Sequence, residues 1–213
     1  MGQQLDTSWL APVRNLGRER IAYDYTASLI DARSNKVVDQ VKGSIYKQHS
    51  FYLDSNSAFI NLRDADYALQ INRRKKEVYV KSIRQMETRA KRKLPASDHV
   101  MFDLNGLLGK NIRSSRVVNG ADGARTIHVR FKETELSELI VSVDGNGELR
   151  QLTIRLAAEQ DGDGVYYRML QMEGFRDQFG QGLVSSQRFL VAARQGLTLK
   201  SPYKEYKLEQ IRY

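Results

Sequence analysis

His49, His99 and His128 are the only imidazoles in this 213-residue chain, and they lie far apart, with no HExxH, no G-x-S-x-G elbow and no phosphate-cradling glycine loop around them. Cysteine is absent, which removes thiol catalysis, disulfides and thiolate metal sites together. The sequence therefore predicts a protein that is not an enzyme and that carries no cofactor and no metal. The nearest approach to metal chemistry is EQDGDG at Glu159 to Gly164, which matches the first half of an EF-hand loop. Its twelfth position is Leu170 where that loop needs a bidentate carboxylate, and a turn between two strands accounts for the same residues.

What remains is electrostatic chemistry. Between Arg73 and Lys93 ten basic residues stand against Glu77 and Glu87, so this segment carries +8 of a net charge of +9. Arg73, Arg74, Lys75, Lys76, Lys91, Arg92 and Lys93 form a candidate surface for an acidic protein partner or anionic head groups, where each cation contributes on the order of 1 kcal/mol. The alternative is a solvated hairpin tip. Nucleic acid is not expected, because only Tyr79 interleaves with the charges and no recognition helix is evident.

The elements that position these groups read as strands. Glu138 to Met172 holds the strongest pattern: Leu139, Val141 and Val143 alternate with polar neighbours, Gly145, Asn146 and Gly147 offer the positive φ of a tight reversal, and Leu152, Ile154 and Leu156 return. A second Gly/Asp turn at Asp161 to Gly164 leads into Val165 to Met172. Upstream, period-two runs and turn residues predict a meander of strands over 19–82, with Gly43 marking a bulge or bend. A short helix is expected at 8–17. Val100, Met101, Leu104, Leu107 and Leu108 fall on one helical stripe within an insert at 97–109. Strands resume over 111–172, and the segment 175–213 is less regular. No linker divides the chain, so one domain over 1–213 is expected. Its 41% hydrophobic content supports a real core, and no apolar run approaches the roughly 18 residues that cross a bilayer.

The order of these pieces resembles the LolA and LolB family of periplasmic lipoprotein carriers. The resemblance covers roughly Tyr23 to Met172: KGSIYKQHSFY stands for the "G-x-aromatic" strand, DADYALQINRRKKEVYV for the following hairpin, HVMFDLNGLLG for the apolar insert, and ELIVSVDGNGELRQLTIRL with GVYYRML for the later strands. It implies a mainly β, single-domain, antiparallel half-open β-barrel of about eleven strands with a short helical lid, and a hydrophobic cavity that receives acyl chains. Two departures bear on energy-coupled release: His49 aligns with an arginine tied to lid closure in the family, and the "F-x-F-x-P-P-x-G" ending is missing after Phe175.

On that template the expected cavity wall is Ile45, Leu53, Leu69, Ile71, Val78, Val80, Leu139, Val141, Leu152, Ile154, Met169 and Leu170. The expected lid is Val100, Met101, Leu104, Leu107 and Leu108, with His49 as the lid-switch candidate. A one-residue slip would reverse the facing on any strand. The implied role is a monomeric carrier of an acylated lipoprotein or lipid in the periplasm, and Met1 and Gly2 ahead of QQLDTSW are compatible with a removed export signal. The rival is an envelope sensor or scaffold of the same fold that binds a protein through the basic 73–93 surface.

Overall fold

Strands dominate, as the two-residue periods predict. The computed structural model describes residues 10–14, 16, 18–49, 51–92, 112–132, 135–180, 182–193 and 196–211. The expected lid at 97–109, with Val100, Met101, Leu104, Leu107 and Leu108, lies outside these described residues, as does Lys93.

Fifteen strands occur among the described residues: β1 (Arg20–Asp31), β2 (Val37–Gln48), β3 (Phe51–Asn56), β4 (Phe59–Arg63), β5 (Tyr67–Asn72), β6 (Glu77–Ser82), β7 (Ile112–Asn119), β8 (Arg125–Phe131), β9 (Leu136–Val143), β10 (Leu149–Leu156), β11 (Glu159–Asp161), β12 (Gly164–Arg176), β13 (Leu190–Ala193), β14 (Gly196–Leu199) and β15 (Lys207–Ile211). The surplus over eleven is accounted for by the three-residue β11, the separate β13–β14 hairpin, and β15. Among the described residues β15 and β7 are the two end strands of the hydrogen-bonded order. Helix α1 spans Leu10–Arg14 and α2 spans Ile83–Ala90.

The chain's contacts gather into two compact units. The first comprises the described residues of Met1–Arg18, Tyr23–Lys42 and Val100–Phe175; the second comprises those of Glu19–Ala22, Gly43–His99 and Arg176–Tyr213. Gly43, the expected bulge or bend, is the first β2 residue in register with β3, opposite Asn56, and falls where β2 passes from one unit to the other.

In the first unit, β7, β8, β9, β10 and β12 pair antiparallel in that order. Register sorts the side chains. Val117, Ile127, Val141, Leu152 and Met172 form one cross-strand row, and Val129, Leu139, Ile154 and Leu170 form the next, so one face of the sheet is aliphatic. Val141, Leu139 and Leu152 at its centre have no exposed surface, and Val13 and Leu16 from the N-terminal segment are buried in the same unit. Burial of this face stabilises the unit at about 25 cal/mol per Å² of apolar area removed from water.

The β9–β10 reversal departs from its expected chemistry in one respect. Only Gly147 has positive φ (80°). Gly145 is required for a different reason: a Cβ there would run into the carbonyl oxygen of Asp122, in the turn between β7 and β8. The loop is held by the Asp144 carboxylate, which accepts from Glu148 N, Asn146 N and Arg150 Nη2, and the Glu148 N–H is the chief cause of its pKa lying below the usual carboxylate value.

In the second unit, β2, β3, β4, β5 and β6 form an antiparallel meander, and β15 adds to β6 in parallel. Leu53, Leu62, Leu69 and Val80 align across it, flanked by Ile60, Ile71, Val78 and Leu208. An apolar face of this kind must be covered. Here Val184, Phe189, Leu190 and Leu199 from the C-terminal segment do so, with Tyr203 and Tyr206 beside them.

Candidate functional site

The candidate site has an apolar part and a charged part, and the register decides which residues belong to each. In the second unit, Leu53, Leu69, Ile71, Val78 and Val80 of the expected wall join one buried cluster, and the C-terminal segment packs on it. Ile45 does not share that face: it pairs with Asp54, while Tyr46 stands opposite Leu53. Side chains alternate across a strand, so Ile45, though buried, points to the other side.

Leu139, Val141, Leu152, Ile154 and Leu170 share the aliphatic face of the first unit. Met169 does not, because it stands opposite Arg155 on the polar face. The aliphatic face is dry at Leu139, Val141 and Leu152, but Leu170 on β12, which has β1 on its other side, is only half-buried, and Val117 on the end strand β7 is 37% exposed. These two positions are where an apolar ligand could still remove surface from water.

The C-terminal cover of the second unit was not foreseen. Its anchor is Asp64, in the turn between β4 and β5. Oδ1 accepts from Asp66 N and Tyr67 N, both at 2.9 Å, and Oδ2 accepts from Ser186 N at 2.5 Å. Asp64 and Ser186 are both buried. Farther along, Arg20 Nη2 donates to the Phe179 carbonyl at 2.5 Å while its guanidinium lies 4.5 Å from the Phe179 ring, and Tyr46 meets that ring edge-on.

The basic segment is partly helical. Arg73, Arg74, Lys75 and Lys76 occupy the β5–β6 turn, where Lys76 has a φ of 54° and Arg73 reaches Ser55 Oγ at 3.3 Å. The chain then enters α2, which carries Arg84 and Arg89 and ends at Lys91 in a left-handed cap, with Arg92 following. Ser82 and Gln85 have the spacing of a capping box, and Ser82 Oγ accepts from Gln85 N at 3.4 Å. That spacing was the available signal for this helix.

His49 sits at the β2–β3 tip with a φ of 53° and faces Glu19, Nδ1 to Oε2 at 3.2 Å, with both side chains mostly exposed. His128 Nδ1 lies 3.7 Å from Glu138 Oε1, and Arg130 Nε lies 3.6 Å from the same oxygen. These three residues, with Ser114, Arg116, Val118 and Ile140, line a depression of about 460 Å³ on the polar face of the first unit. No hydrogen bond joins Ser114 to His128 among the described residues, so the nucleophile–base contact of a hydrolytic triad is not made. The EQDGDG stretch is β11, a turn and the start of β12, with Asp161 opposite Gly164 and Gly162 at a φ of 58°.

No family model matches this chain, and no curated protein does. Among solved structures it is similar to an uncharacterized conserved protein from Thermus thermophilus, at 10% identity and a TM-score of 0.39 over 95% of this chain and 97% of that one. Further neighbours are a LolA superfamily protein from Nitrosomonas europaea, at 6% identity and 0.35 over 87% and 99% of the two chains, and LprF from Mycobacterium bovis, at 8% and 0.33 over 81% and 93%.

Proposed function

We propose that this chain is a non-enzymatic carrier of the periplasm that shelters the acyl chains of a lipoprotein or lipid against an apolar sheet face. One observation carries the reading. The first unit presents two unbroken cross-strand rows of aliphatic side chains in which Leu170 is only half-buried and Val117, on the end strand β7, is 37% exposed. Each methylene laid on such a surface contributes about 0.8 kcal/mol, so a long chain binds strongly if only part of it is covered. The resemblance of the hairpin order in Tyr23 to Met172 to lipoprotein carriers supports the same reading. Delipidated protein mixed with palmitate should take up acyl chain in native mass spectrometry and in a fluorescent fatty-acid displacement assay. Protein that stays ligand-free in both would remove the proposal.

A second reading is favoured by the second unit, whose apolar face is filled by its own C-terminal segment while Arg74, Lys75 and Lys76 stand exposed at the β5–β6 turn. On this reading the chain is an envelope sensor or scaffold that binds an acidic partner through 73–92. Changing Arg73, Arg74, Lys75 and Lys76 to Glu should abolish pull-down of such a partner and leave acyl uptake at the wild-type level. If neither changes, the cluster is a solvated surface.

A further inference from the structure

Two β-bulges lie side by side in the first unit. A regular β7–β8 ladder continuing from Ser114 opposite Arg130 would set Arg113 opposite Phe131 on the aliphatic side. Instead Ile112 takes that place and Arg113 is left as the extra residue. The β9–β10 ladder does the same: Glu138 pairs with Arg155 but Leu136, not Ser137, stands opposite Leu156. In both cases an aliphatic residue is kept for the buried face and a polar one is released from the ladder. Bulges re-aim side chains in this way and are enriched next to functional sites.

The two released residues meet at one place. Arg113 and Ser137, with Arg130, Arg155, Glu138 and Tyr167, line a depression of about 310 Å³ that Phe131, Leu156 and Ala158 complete. Each guanidinium stands in a distinct setting. The Arg155 guanidinium carbon lies over the Tyr167 ring, 3.9 Å from its centroid, and the Tyr167 hydroxyl donates to Asn35 Oδ1 at 2.6 Å, so the ring beneath it is itself anchored. Arg130 is held by Glu138 through Nε, while its side chain is 69% exposed and keeps its terminal nitrogens for another partner. Arg113 has no partner among the described residues. Ser137 Oγ donates to the carbonyls of Arg155 and Leu156, which fixes the bulge beneath the arginines.

We propose that this bulged corner is an oxyanion site that binds a phosphoryl group through Arg113, Arg130 and Arg155. Three guanidiniums against the Glu138 carboxylate leave two positive charges, which match a phosphate monoester dianion and exceed what a single carboxylate could neutralise. Guanidinium forks suit tetrahedral oxyanions because each presents paired donors in a plane. Arg113, Arg130 and Arg155 belong to neither aliphatic row, so the site does not depend on acyl binding there. The phosphoryl group could belong to a lipid head group or to a soluble metabolite, and the two sources separate experimentally.

The 213-residue chain would be titrated by calorimetry with glycerol phosphate, and in parallel tested for co-sedimentation with phosphatidylcholine vesicles containing phosphatidic acid, whose head group is a phosphate monoester. Binding in both arms assigns the site to the phosphoryl group itself, and binding to vesicles alone assigns it to a head group. Arg113→Gln and Arg155→Gln should each weaken binding at least about tenfold, the effect of losing one charge-assisted contact. Arg155→Lys, which keeps the charge but loses the fork and the stack, should weaken it nearly as much. Lys200→Gln with Lys204→Gln removes two exposed charges of the second unit and should leave binding unchanged, with urea midpoints confirming that every variant folds. No saturable binding in either arm, or equal weakening by the Lys200 and Lys204 pair, would overturn the site.

Discussion

Asp64→Ala should lower the unfolding free energy by about 3 kcal/mol and loosen the C-terminal segment ahead of the rest of the second unit. Asp64 makes three hydrogen bonds from one carboxylate, and two of them, to Asp66 N and Tyr67 N, close the β4–β5 turn. The third reaches 122 positions along the chain to Ser186 N. Ser186 is 2% exposed, so no water can replace the lost acceptor without opening the packing around Val184 and Phe189. A buried N–H left without a partner costs about 1–3 kcal/mol, and bonds to a charged acceptor are individually worth about 1.5–3. The three share one group, so their contributions overlap rather than add. Urea denaturation measures the total, and amide exchange at Ser186 to Leu190 measures the local part. Asp64→Asn, which retains one carbonyl acceptor, should fall between wild type and Asp64→Ala. If Asp64→Ala costs less than about 1 kcal/mol, the segment is held by apolar contact alone.

How much of this was legible beforehand follows from which interactions are local. The reversal at Asp144 to Glu148 could be read because it is written within a short stretch: two period-two runs, a glycine that adopts positive φ, and an aspartate that caps the loop. Helix α2 was equally local, yet the β-branched run EVYVKSI reads as one strand through Ile83, and only the Ser82–Gln85 spacing argues against it. Facing was the next loss. Ile45 lies one position out of phase with the wall residues on neighbouring strands, which strand pairing reveals and periodicity within a single strand does not, whereas Met169 and Leu170 are adjacent on β12 and alternation alone puts them on opposite faces. The arginine corner was invisible for a related reason. Arg113 and Ser137 meet only because two ladders skip a residue, and a skipped residue is a property of two strands together. The C-terminal cover has no period at all: Val184, Phe189, Leu190 and Leu199 are spaced by turns and short strands, and what unites them is the distant face they bury.

Burial along the first unit's sheet separates stability from ligand uptake, and two substitutions should show it. Leu152 has no exposed surface and lies between Val141 and Met172, so Leu152→Ala should cost about 2–5 kcal/mol through lost transfer energy and the cavity left behind. Leu170 lies on the same face, opposite Ile154, but is only half-buried, so Leu170→Ala should cost less than about 1.5 kcal/mol. Acyl uptake should rank the two positions the other way. A ligand gains area where apolar surface still meets water, as at half-buried Leu170, and gains none over a residue already sealed. Leu170→Asp goes further, because an approaching acyl chain would have to strip water from a carboxylate at a cost of several kcal/mol, so palmitate affinity should fall at least about tenfold under conditions where the urea curve shows the variant folded, though less stable than Leu170→Ala. Ligand added to Leu152→Ala at about 100 times its dissociation constant should restore about 2.7 kcal/mol, since binding to the folded state alone adds that much whatever the starting stability. Wild-type uptake by Leu170→Asp would mean that acyl chains, if bound, lie elsewhere than on this face. A stable Leu152→Ala would mean that its centre is not the packed core that the register describes.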